Sequence, residues 1–275
     1  MTDSNSPSQN LLLGALPEET YKRLLPYLEL IHMPNGDVLY EPGSELRYAY
    51  FPTTSVVSNI YVVEDGASSE LAMVGNEGFI GLGLFTDGRT MPHQAVVSRA
   101  GYAYRLRRQL FIKEFESGDE SSADKALFKL LLLYLQALIT QIAQTAACNR
   151  HHSIYQQLCR WLLLNLDRCS SNEIRVTHDH IANMLGVRRE SITDAAGKLQ
   201  QKGLISYSRG HINVGKRAGL EAQACECYQV IHTEFARLIP NLAQASETLG
   251  EPIPRVSDKS SKHPSDNHKL TKAVS

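Results

Sequence analysis

Short apolar runs alternate with glycine and proline through the first 118 residues, and this pattern stops where a long apolar segment begins. From residue 31 onward the runs are rich in β-branched and aromatic residues. The turn positions between them are Gly36, Gly43, Asp65-Gly66, Gly75, Gly78 and Gly81. Regular turn signals between short runs predict a sheet of many strands. Residues 11–30 predict a helical segment before the sheet, with Pro17 near a helix start.

Residues 119–149 follow a helical period and predict one long helix. Its apolar seam at 3-4 spacing is Phe128, Leu131, Leu135, Leu138 and Ile142, about two heptads in length. Leu127, Leu130, Tyr134 and Ile139 add apolar surface around the seam. Periodicity is equally compatible with a core helix inside one subunit and with a helix paired with its twin.

The segment from Thr177 to Gly210 has the spacing of two short helices that cross around a tight turn. Ala182 is small enough for close crossing, and Gly186 can adopt the positive φ of the turn. Ile192, Ala196 and Leu199 predict one buried face on the second helix. Thr177, with His178 and Asp179, predicts the cap of the first helix, and Gly203 the end of the second. This pattern indicates a helix-turn-helix and therefore DNA binding.

The polar side of the second helix would contact DNA. Its first turns carry Arg188, Arg189, Glu190, Ser191, Thr193 and Asp194, with Lys198 further along. Thr177, before the first helix, is also a predicted DNA contact. Arginine can bond a guanine edge, and a glutamate accepts from cytosine. Taken alone, these residues would also suit an ordinary solvated helix start.

Residues 204–214 predict a hairpin that follows the second helix as a wing. The turn is Ser208-Arg209-Gly210-His211, where the glycine permits a tight reversal. Arg209 and His211 at the tip would suit phosphate or minor-groove contacts. A surface hairpin without such a role is the alternative.

Charge is distributed unevenly along the 275 residues, although the formal net charge is only -1. Residues 1–149 contain 11 basic and 17 acidic side chains, whereas residues 150–217 contain 11 basic and 5 acidic ones. A basic module joined to an acidic domain is typical of a protein that binds phosphates.

The sequence Arg189-Glu190-Ser191-Ile192 resembles the recognition-helix signature of the Crp/Fnr family of bacterial transcription regulators. The turn residues Gly36, Gly43, Gly78-Phe79 and Gly81 resemble those of the family's cyclic-nucleotide-binding-like sensor domain. One departure is Asp194, which stands where several members have a second base-contacting arginine. A carboxylate there cannot donate to guanine, so the family's usual half-site is not carried over.

The resemblance implies an α+β fold with a β-roll sensor domain of the cyclic-nucleotide-binding-like jelly-roll type at 11–118, a dimerisation helix at 119–149 and a winged helix-turn-helix domain at 150–217. The sequence beyond them predicts a C-terminal helix at 218–249. The tail at 250–275 is polar and mixed in charge with few apolar residues, which predicts disorder. The long helix is then expected to pair with a second copy along the seam described above.

The resemblance also places an effector pocket in the β-roll, but its charged residues differ. The pocket residues would be Gly81, Leu82, Arg89, His93 and Gln94. Leu82 stands where the family has the acid that binds the ribose, and His93 and Gln94 follow Pro92 where it has an arginine for the cyclic phosphate. A neutral histidine cannot replace a guanidinium fork, so cyclic AMP is not the expected ligand.

Metal, cofactor and catalytic sites find little support in the sequence. Cys225 and Cys227 are predicted to lie on one helix over 219–239, where positions i and i+2 point to different faces, and no second pair has zinc-like spacing. An N-terminal iron–sulfur cluster would require cysteines before Cys148, and the sequence has none there. His32 and His93 are two isolated histidines, which are more often ordinary surface or core residues than haem ligands. We therefore expect no metal, no cofactor and no enzymatic activity.

The sequence as a whole predicts a sequence-specific transcription regulator with an unidentified signal. The expected partners are double-stranded DNA, a second copy of the chain and a small-molecule or protein effector, and RNA polymerase is left open. The polar start and the short apolar run at 130–139 predict a cytoplasmic protein without a membrane segment. The alternative is a sensory or adaptor protein whose β-roll binds a partner and whose helix-turn-helix has lost DNA affinity.

Overall fold

The computed structural model describes residues 6–86, 88–116, 124–169 and 171–239. The expected tail at 250–275 lies outside these ranges, as do the expected beginning of the long helix at 119–123 and the end of the C-terminal helix beyond Ile239. Within them, the mixture of helices and antiparallel sheets confirms the expected α+β class.

Seven strands form the N-terminal domain after two short helices. The helices are α1 (Leu11–Gly14) and α2 (Glu18–Leu24). The strands are β1 (Glu29–Met33), β2 (Val38–Tyr40), β3 (Tyr48–Pro52), β4 (Val56–Val62), β5 (Ser68–Val74), β6 (Gln94–Arg99) and β7 (Gly101–Arg107), with α3 (Leu82–Phe85) between β5 and β6. The helical segment therefore ends before residue 30, because β1 already pairs with β7 from Glu29 onward.

Two antiparallel sheets build the β-roll. One has the strand order β1-β7-β3 and the other β2-β6-β4-β5. Phe79, in the loop after β5, stacks against Phe51 of β3 and against Phe111 of the helix that follows β7, at centroid distances of 5.9 and 6.0 Å. Burial of these side chains stabilises each by roughly 1.5–3 kcal/mol relative to exposure. The sandwich is thus held together mainly by apolar packing.

The helices α4 (Arg108–Glu116) and α5 (Asp124–His151) follow the β-roll. The Tyr134 hydroxyl on α5 donates to the Phe79 carbonyl at 3.2 Å, and the Gln141 amide donates to the Met73 carbonyl at 3.1 Å. A Cβ atom on Gly78 would lie 2.4 Å from the Tyr134 ring, so the close approach of α5 requires a glycine there. The long helix is therefore part of the core of its own chain along one side.

This packing corrects the expected dimer seam. Leu131 and Leu138 are 0% and 5% exposed because they face the core of the same chain. Phe128, Leu132, Ile139 and Ile142 are 47%, 44%, 56% and 37% exposed, with half-buried Leu135 between them. These five residues, called here the apolar stripe, keep the 3-4 spacing of a helix-pairing surface. The apolar positions form two faces, of which one is buried within the chain and the other, the stripe, is largely exposed.

The third part of the chain contains α6 (Ile154–Asp167), β8 (Glu173–Arg175), α7 (His178–Leu185), α8 (Arg189–Gln201), β9 (Ile205–Ser208) and β10 (His211–Val214). The strands form a small sheet of order β8-β10-β9. Ser153 and Gln156 form a capping box that begins α6, which satisfies backbone donors at the helix start. Helices α6, α7 and α8 with this sheet make a winged helix-turn-helix.

The C-terminal segment is two helices rather than the expected single helix over 219–239. Helix α9 (Arg217–Glu221) ends before α10 (Glu226–Leu238) begins. Cys225 has extended backbone angles (φ -78°, ψ 165°) and lies immediately before α10. The two-residue spacing of Cys225 and Cys227 therefore does not separate their side chains as it would inside a helix.

A buried ion pair joins three parts of the fold. The Arg168 guanidinium, just after α6, lies 2.8 Å from the Glu77 carboxylate of the β-roll, and both side chains are buried. The same guanidinium donates to Gln141 on α5 at 3.2 Å and to the Leu164 carbonyl at 2.8 Å. The winged helix-turn-helix is thus fixed to both the β-roll and the long helix.

Candidate nucleic-acid interface

The first helix of the motif begins and ends at the residues that the sequence indicates. The Thr177 hydroxyl accepts from the His180 backbone N–H at 3.2 Å, which makes Thr177 the N-cap of α7. Gly186 ends the helix with φ 65° and ψ 37°, a conformation that favours glycine. Together these two residues fix the angle at which α7 leads into α8.

Helix α8 has one buried and one exposed side. Ile192, Ala195, Ala196 and Leu199 are buried against the rest of the module. The exposed side carries Arg188, Arg189, Glu190, Thr193, Asp194 and Lys198, and Ser191 is half-buried. Arg188 is the N-cap and makes no side-chain capping hydrogen bond. The positive end of the helix dipole therefore lies beside two arginines, an arrangement that attracts an anion.

Thr193 is held by a contact that sequence reasoning missed. Its hydroxyl donates to the Arg189 carbonyl at 3.2 Å, so the Nδ1–H of His178 donates to the hydroxyl at 3.1 Å. The His178 ring also stacks on Tyr207 of β9 at a centroid distance of 4.1 Å. Burial and the nearby Arg189 cation lower the pKa of His178. A neutral His178 thus connects α7, α8 and the wing.

Charges of both signs lie on the exposed side of α8. The Arg189 guanidinium is 3.5 Å from the Asp179 carboxylate at the beginning of α7, with both side chains well exposed. Such a pair contributes little to stability, roughly 0–1 kcal/mol, and can be exchanged for a phosphate or a base. Asp194 is also exposed. The surface can therefore donate through its arginines and accept through Glu190 and Asp194.

The wing is a two-residue hairpin, as its sequence indicates. Arg209 and Gly210 have φ values of 48° and 80°, typical of a type I′ turn, and place the Arg209 side chain at the exposed tip. His211 bonds to the Glu173 carboxylate on the neighbouring β8. This hydrogen bond, with Coulombic attraction from His211 and Arg175, lowers the pKa of Glu173. Arg209 is the freer of the two predicted wing contacts, because His211 has a carboxylate partner.

The predicted effector residues occupy different environments in the β-roll. His93 is buried, and its Nε2 lies 3.0 Å from the Tyr40 hydroxyl. Burial lowers the pKa of His93, which favours the neutral ring. Arg89 is exposed with φ 57°, Gly81 is the N-cap of α3 with φ 113°, and Leu82 and Gln94 are half-buried. Among the described residues, the hydrogen-bond contact of the His93 ring is the Tyr40 hydroxyl, so the interior position is polar and neutral.

Tyr40 and Asn59 are interior polar residues that sequence reasoning missed. Both are buried, and the Tyr40 hydroxyl lies 3.5 Å from the Asn59 side-chain oxygen, at the limit for a hydrogen bond. They stand on β2 and β4, on either side of β6 in the same sheet. No local motif links them, because they are separated by a complete strand and two turns.

One described helix is long and apolar enough to cross a membrane by length and composition alone. This segment is Ala126–His151 within α5, and 39% of its window is buried inside the protein. Tyr134 and Gln141 on it bond to the β-roll, and its opposite side carries the apolar stripe. The apolar composition of this helix is therefore explained by its packing on the β-roll and by the apolar stripe.

A family model for the Crp-like helix-turn-helix domain matches residues 156–223. No curated protein matches the sequence of this chain. Solved structures match the fold, among them a regulator ascribed to the Crp/Fnr family from Eubacterium rectale, at 16% identity and a TM-score of 0.60, covering 77% of this chain and 96% of that one.

Two further solved structures match the same fold. The c-di-GMP-responsive global regulator CLP of Xanthomonas campestris is 18% identical with a TM-score of 0.58, over 72% of this chain and 99% of that one. A Crp/Fnr-family regulator from Thermus thermophilus is 24% identical with a TM-score of 0.55, over 71% and 98%. At these identities the matches establish the fold, and the family model identifies the DNA-binding module.

Proposed function

We propose that this chain, which carries a Crp-like helix-turn-helix domain within a Crp/Fnr fold, is a sequence-specific DNA-binding transcription regulator. The observation that carries the proposal is the exposed side of α8, where Arg188, Arg189 and Glu190 surround an uncapped helix start. Residues at the beginning of a recognition helix are those that reach base edges in the major groove.

The distribution of charge supports binding to a polyanion. Residues 150–217 carry the basic excess, but Arg160 and Arg168 are buried and Arg217 is paired with Asp167 and Glu221. The exposed cations of the module include Arg188, Arg189, Lys198 and Arg209 on α8 and the wing. These side chains can neutralise phosphates while Glu190 and Asp194 contribute discrimination between bases.

The regulator acts as a homodimer in this proposal, with the apolar stripe as the interface. Two-fold pairing would place two α8 helices in successive major grooves, about 34 Å or roughly 10 base pairs apart. The operator is then an inverted repeat. Because Asp194 replaces a guanine-reading arginine, its half-site differs from the usual one of the family.

The β-roll responds to a signal other than cyclic AMP. Two charge-assisted contacts are missing at Leu82 and His93, and each such hydrogen bond contributes roughly 1.5–3 kcal/mol. Calorimetric titration of the full chain with cyclic AMP should show no binding at micromolar concentrations. A micromolar dissociation constant would contradict this part of the proposal. We further propose a soluble, cytoplasmic, non-enzymatic protein.

Selection of bound fragments from random DNA by the purified chain, followed by sequencing, tests the function directly. An inverted repeat should emerge, and Arg189→Ala or Glu190→Ala should weaken its binding by about 1–3 kcal/mol and relax preference at one base pair. The matched variants Lys198→Ala and Arg209→Ala should weaken all sequences alike and lower the salt dependence by about one unit.

The competing function is an adaptor whose helix-turn-helix has lost DNA affinity, and exposed Asp194 is the observation that favours it. If the selection yields no motif and Arg189→Ala leaves binding unchanged, the adaptor function is the correct one. Recovery of specific binding by Asp194→Arg would then identify the carboxylate as the cause.

A further inference from the structure

Four metal-binding side chains meet where α5 ends and α10 begins. Cys148 and His152 lie one helical turn apart, and the His152 N–H still bonds to the Cys148 carbonyl at 3.0 Å. Cys225 and Cys227 come from the beginning of α10. One ligand atom from each of the four residues lies within 4.8 Å of the other three. The three cysteines are buried and His152 is half-buried.

The spacing of these atoms suits a tetrahedral ion. Cys148 Sγ and Cys225 Sγ are 3.5 Å apart, and Cys227 Sγ and His152 Nδ1 are also 3.5 Å apart. Zn–S bonds of about 2.3 Å and Zn–N bonds of about 2.0–2.1 Å give tetrahedral S–S and S–N edges of about 3.8 and 3.6 Å. Both measured edges require only a few tenths of an ångström of adjustment.

The surroundings of the cluster match those of a metal-bound histidine. With Nδ1 facing Cys227, the Nε2 of His152 lies 3.3 Å from the Glu226 carboxylate. A carboxylate on the second ring nitrogen orients a ligating histidine and raises its basicity. The Gln157 amide donates to the Cys148 and His152 carbonyls at 3.4 and 2.9 Å, which fixes the turn that presents both ligands.

The surroundings of the cluster also supply a compensating positive charge and a route by which an ion can reach it. Three thiolates with one divalent cation leave one negative charge, and buried Arg160 interacts electrostatically with Cys148. Arg160 donates to Thr145 at 3.1 Å, and its buried Nε has no hydrogen-bond partner among the described residues. His152 also lines a groove of about 610 Å³ beside Ser153 and Gly186, through which an ion can enter.

We propose that Cys148, His152, Cys225 and Cys227 form a closed tetrahedral site for a thiophilic divalent cation, with Zn²⁺ as the ion. Four protein ligands of the Cys₃His type are those of structural zinc sites. The alternative is a Cys148–Cys225 disulfide, which would involve only two of the four donor residues. It would not explain why Cys227, His152 and Glu226 are arranged beside that pair. The site would connect α10 to the end of α5, directly before α6 begins. This proposal does not rest on the proposed DNA binding.

Metal analysis of the reduced full chain tests the site. We expect one Zn²⁺ per chain, and replacement by Co²⁺ should give thiolate charge-transfer and tetrahedral d–d absorption. The double variant Cys225→Ser/Cys227→Ser should weaken binding by more than about 100-fold, because losing ligands exceeds the 10–100-fold effect of losing an outer partner. Glu226→Gln should weaken it by about tenfold. Cys169→Ser, a half-buried cysteine outside the cluster, is the matched control and should retain one ion.

Three results would overturn the proposal. These are no bound ion in the reduced chain, full occupancy in the double variant, or equal loss in Cys169→Ser. If the double variant does not fold, X-ray absorption at the zinc edge of the wild-type chain decides instead. Three sulfur neighbours and one nitrogen support the site, and any other inner shell contradicts it.

Discussion

At the residue scale, Glu70 is an acid in the interior of the β-roll. It is buried on β5 and accepts a hydrogen bond from the Ser58 hydroxyl at 2.6 Å. Burial raises the pKa of Glu70, while the Ser58 hydrogen bond and the Arg160 and Arg168 cations oppose the rise. Since burial prevails, the protonated form is favoured by folding, and stability is lost as the pH rises from the unfolded pKa through the folded one.

The variant Glu70→Gln should remove this pH dependence. Glutamine keeps a hydrogen-bond partner for Ser58 but never ionises. The melting temperature of the variant should therefore rise relative to that of the wild type as the pH increases from about 4, near the unfolded pKa, to neutral. Thermal melts of both proteins across that range provide the measurement. Glu64→Gln on the exposed turn after β4 is the control. Parallel profiles for Glu70→Gln and wild type would show that Glu70 folds in its charged form.

At the element scale, the two faces of α5 have different roles. The face with Leu131, Tyr134 and Gln141 packs inside the chain, and the apolar stripe points away from it. The variant Leu132→Glu/Ile139→Glu should therefore yield a folded monomer that loses specific binding to an inverted repeat. Light scattering measures the oligomeric state, circular dichroism measures the fold, and a gel-shift assay with the inverted repeat measures the loss of binding.

The control for the stripe is Lys129→Glu, an exposed polar position of α5 that is not part of the stripe, which should stay dimeric. Leu131→Glu should instead unfold the chain, because it places a charge in the core. A wild-type monomer would refute the proposed dimer, and a charged-stripe variant that remains a dimer would mean that the two copies pair elsewhere.

The Arg168–Glu77 pair is the connection between elements that should be most sensitive to mutation. Glu77→Ala would leave Arg168 buried without a counter-ion, which costs about 3–5 kcal/mol. At about 2–4 °C per kcal/mol for a chain of this size, the melting temperature should fall by roughly 6–20 °C. The matched control is Glu29→Ala, whose partner Arg105 is part-exposed, so the loss should stay below about 1 kcal/mol. Similar losses in both variants would disprove a special role for the buried pair.

At the scale of the whole molecule, the proposed ion would connect segments that are 77 residues apart at Cys148 and Cys225. A ligand that binds only the folded state at 1,000 times its dissociation constant adds about 4.1 kcal/mol of stability. A strong chelator should accordingly lower the melting temperature of the wild-type chain, and added Zn²⁺ should restore it. The Cys225→Ser/Cys227→Ser variant should not respond to either reagent. A chelator-insensitive wild type that contains zinc would place the ion outside this cluster.

The sequence by itself determined the helix-turn-helix, its wing and the presence of a strand-rich domain. The reason is that the determining contacts are local. Thr177, Gly186, Ile192 and the Arg209-Gly210 turn act over a few residues each, and their backbone preferences are intrinsic. The turn glycines of the β-roll act in the same way.

Only the tertiary structure decided which side of α5 is buried and which side is exposed. Leu131 and Leu132 are both apolar, and periodicity alone does not indicate which of them faces the β-roll. The packing of α5 on the β-roll, with Tyr134 bonded to the Phe79 carbonyl, buries Leu131 and leaves Leu132 exposed. The break before α10 and the meeting of Cys148 with Cys225 depend on the packing of α10 against α5, through Tyr134 with Phe235 and Gln136 with Glu234. Contacts between distant segments are set by burial of the whole chain, which the local pattern does not specify.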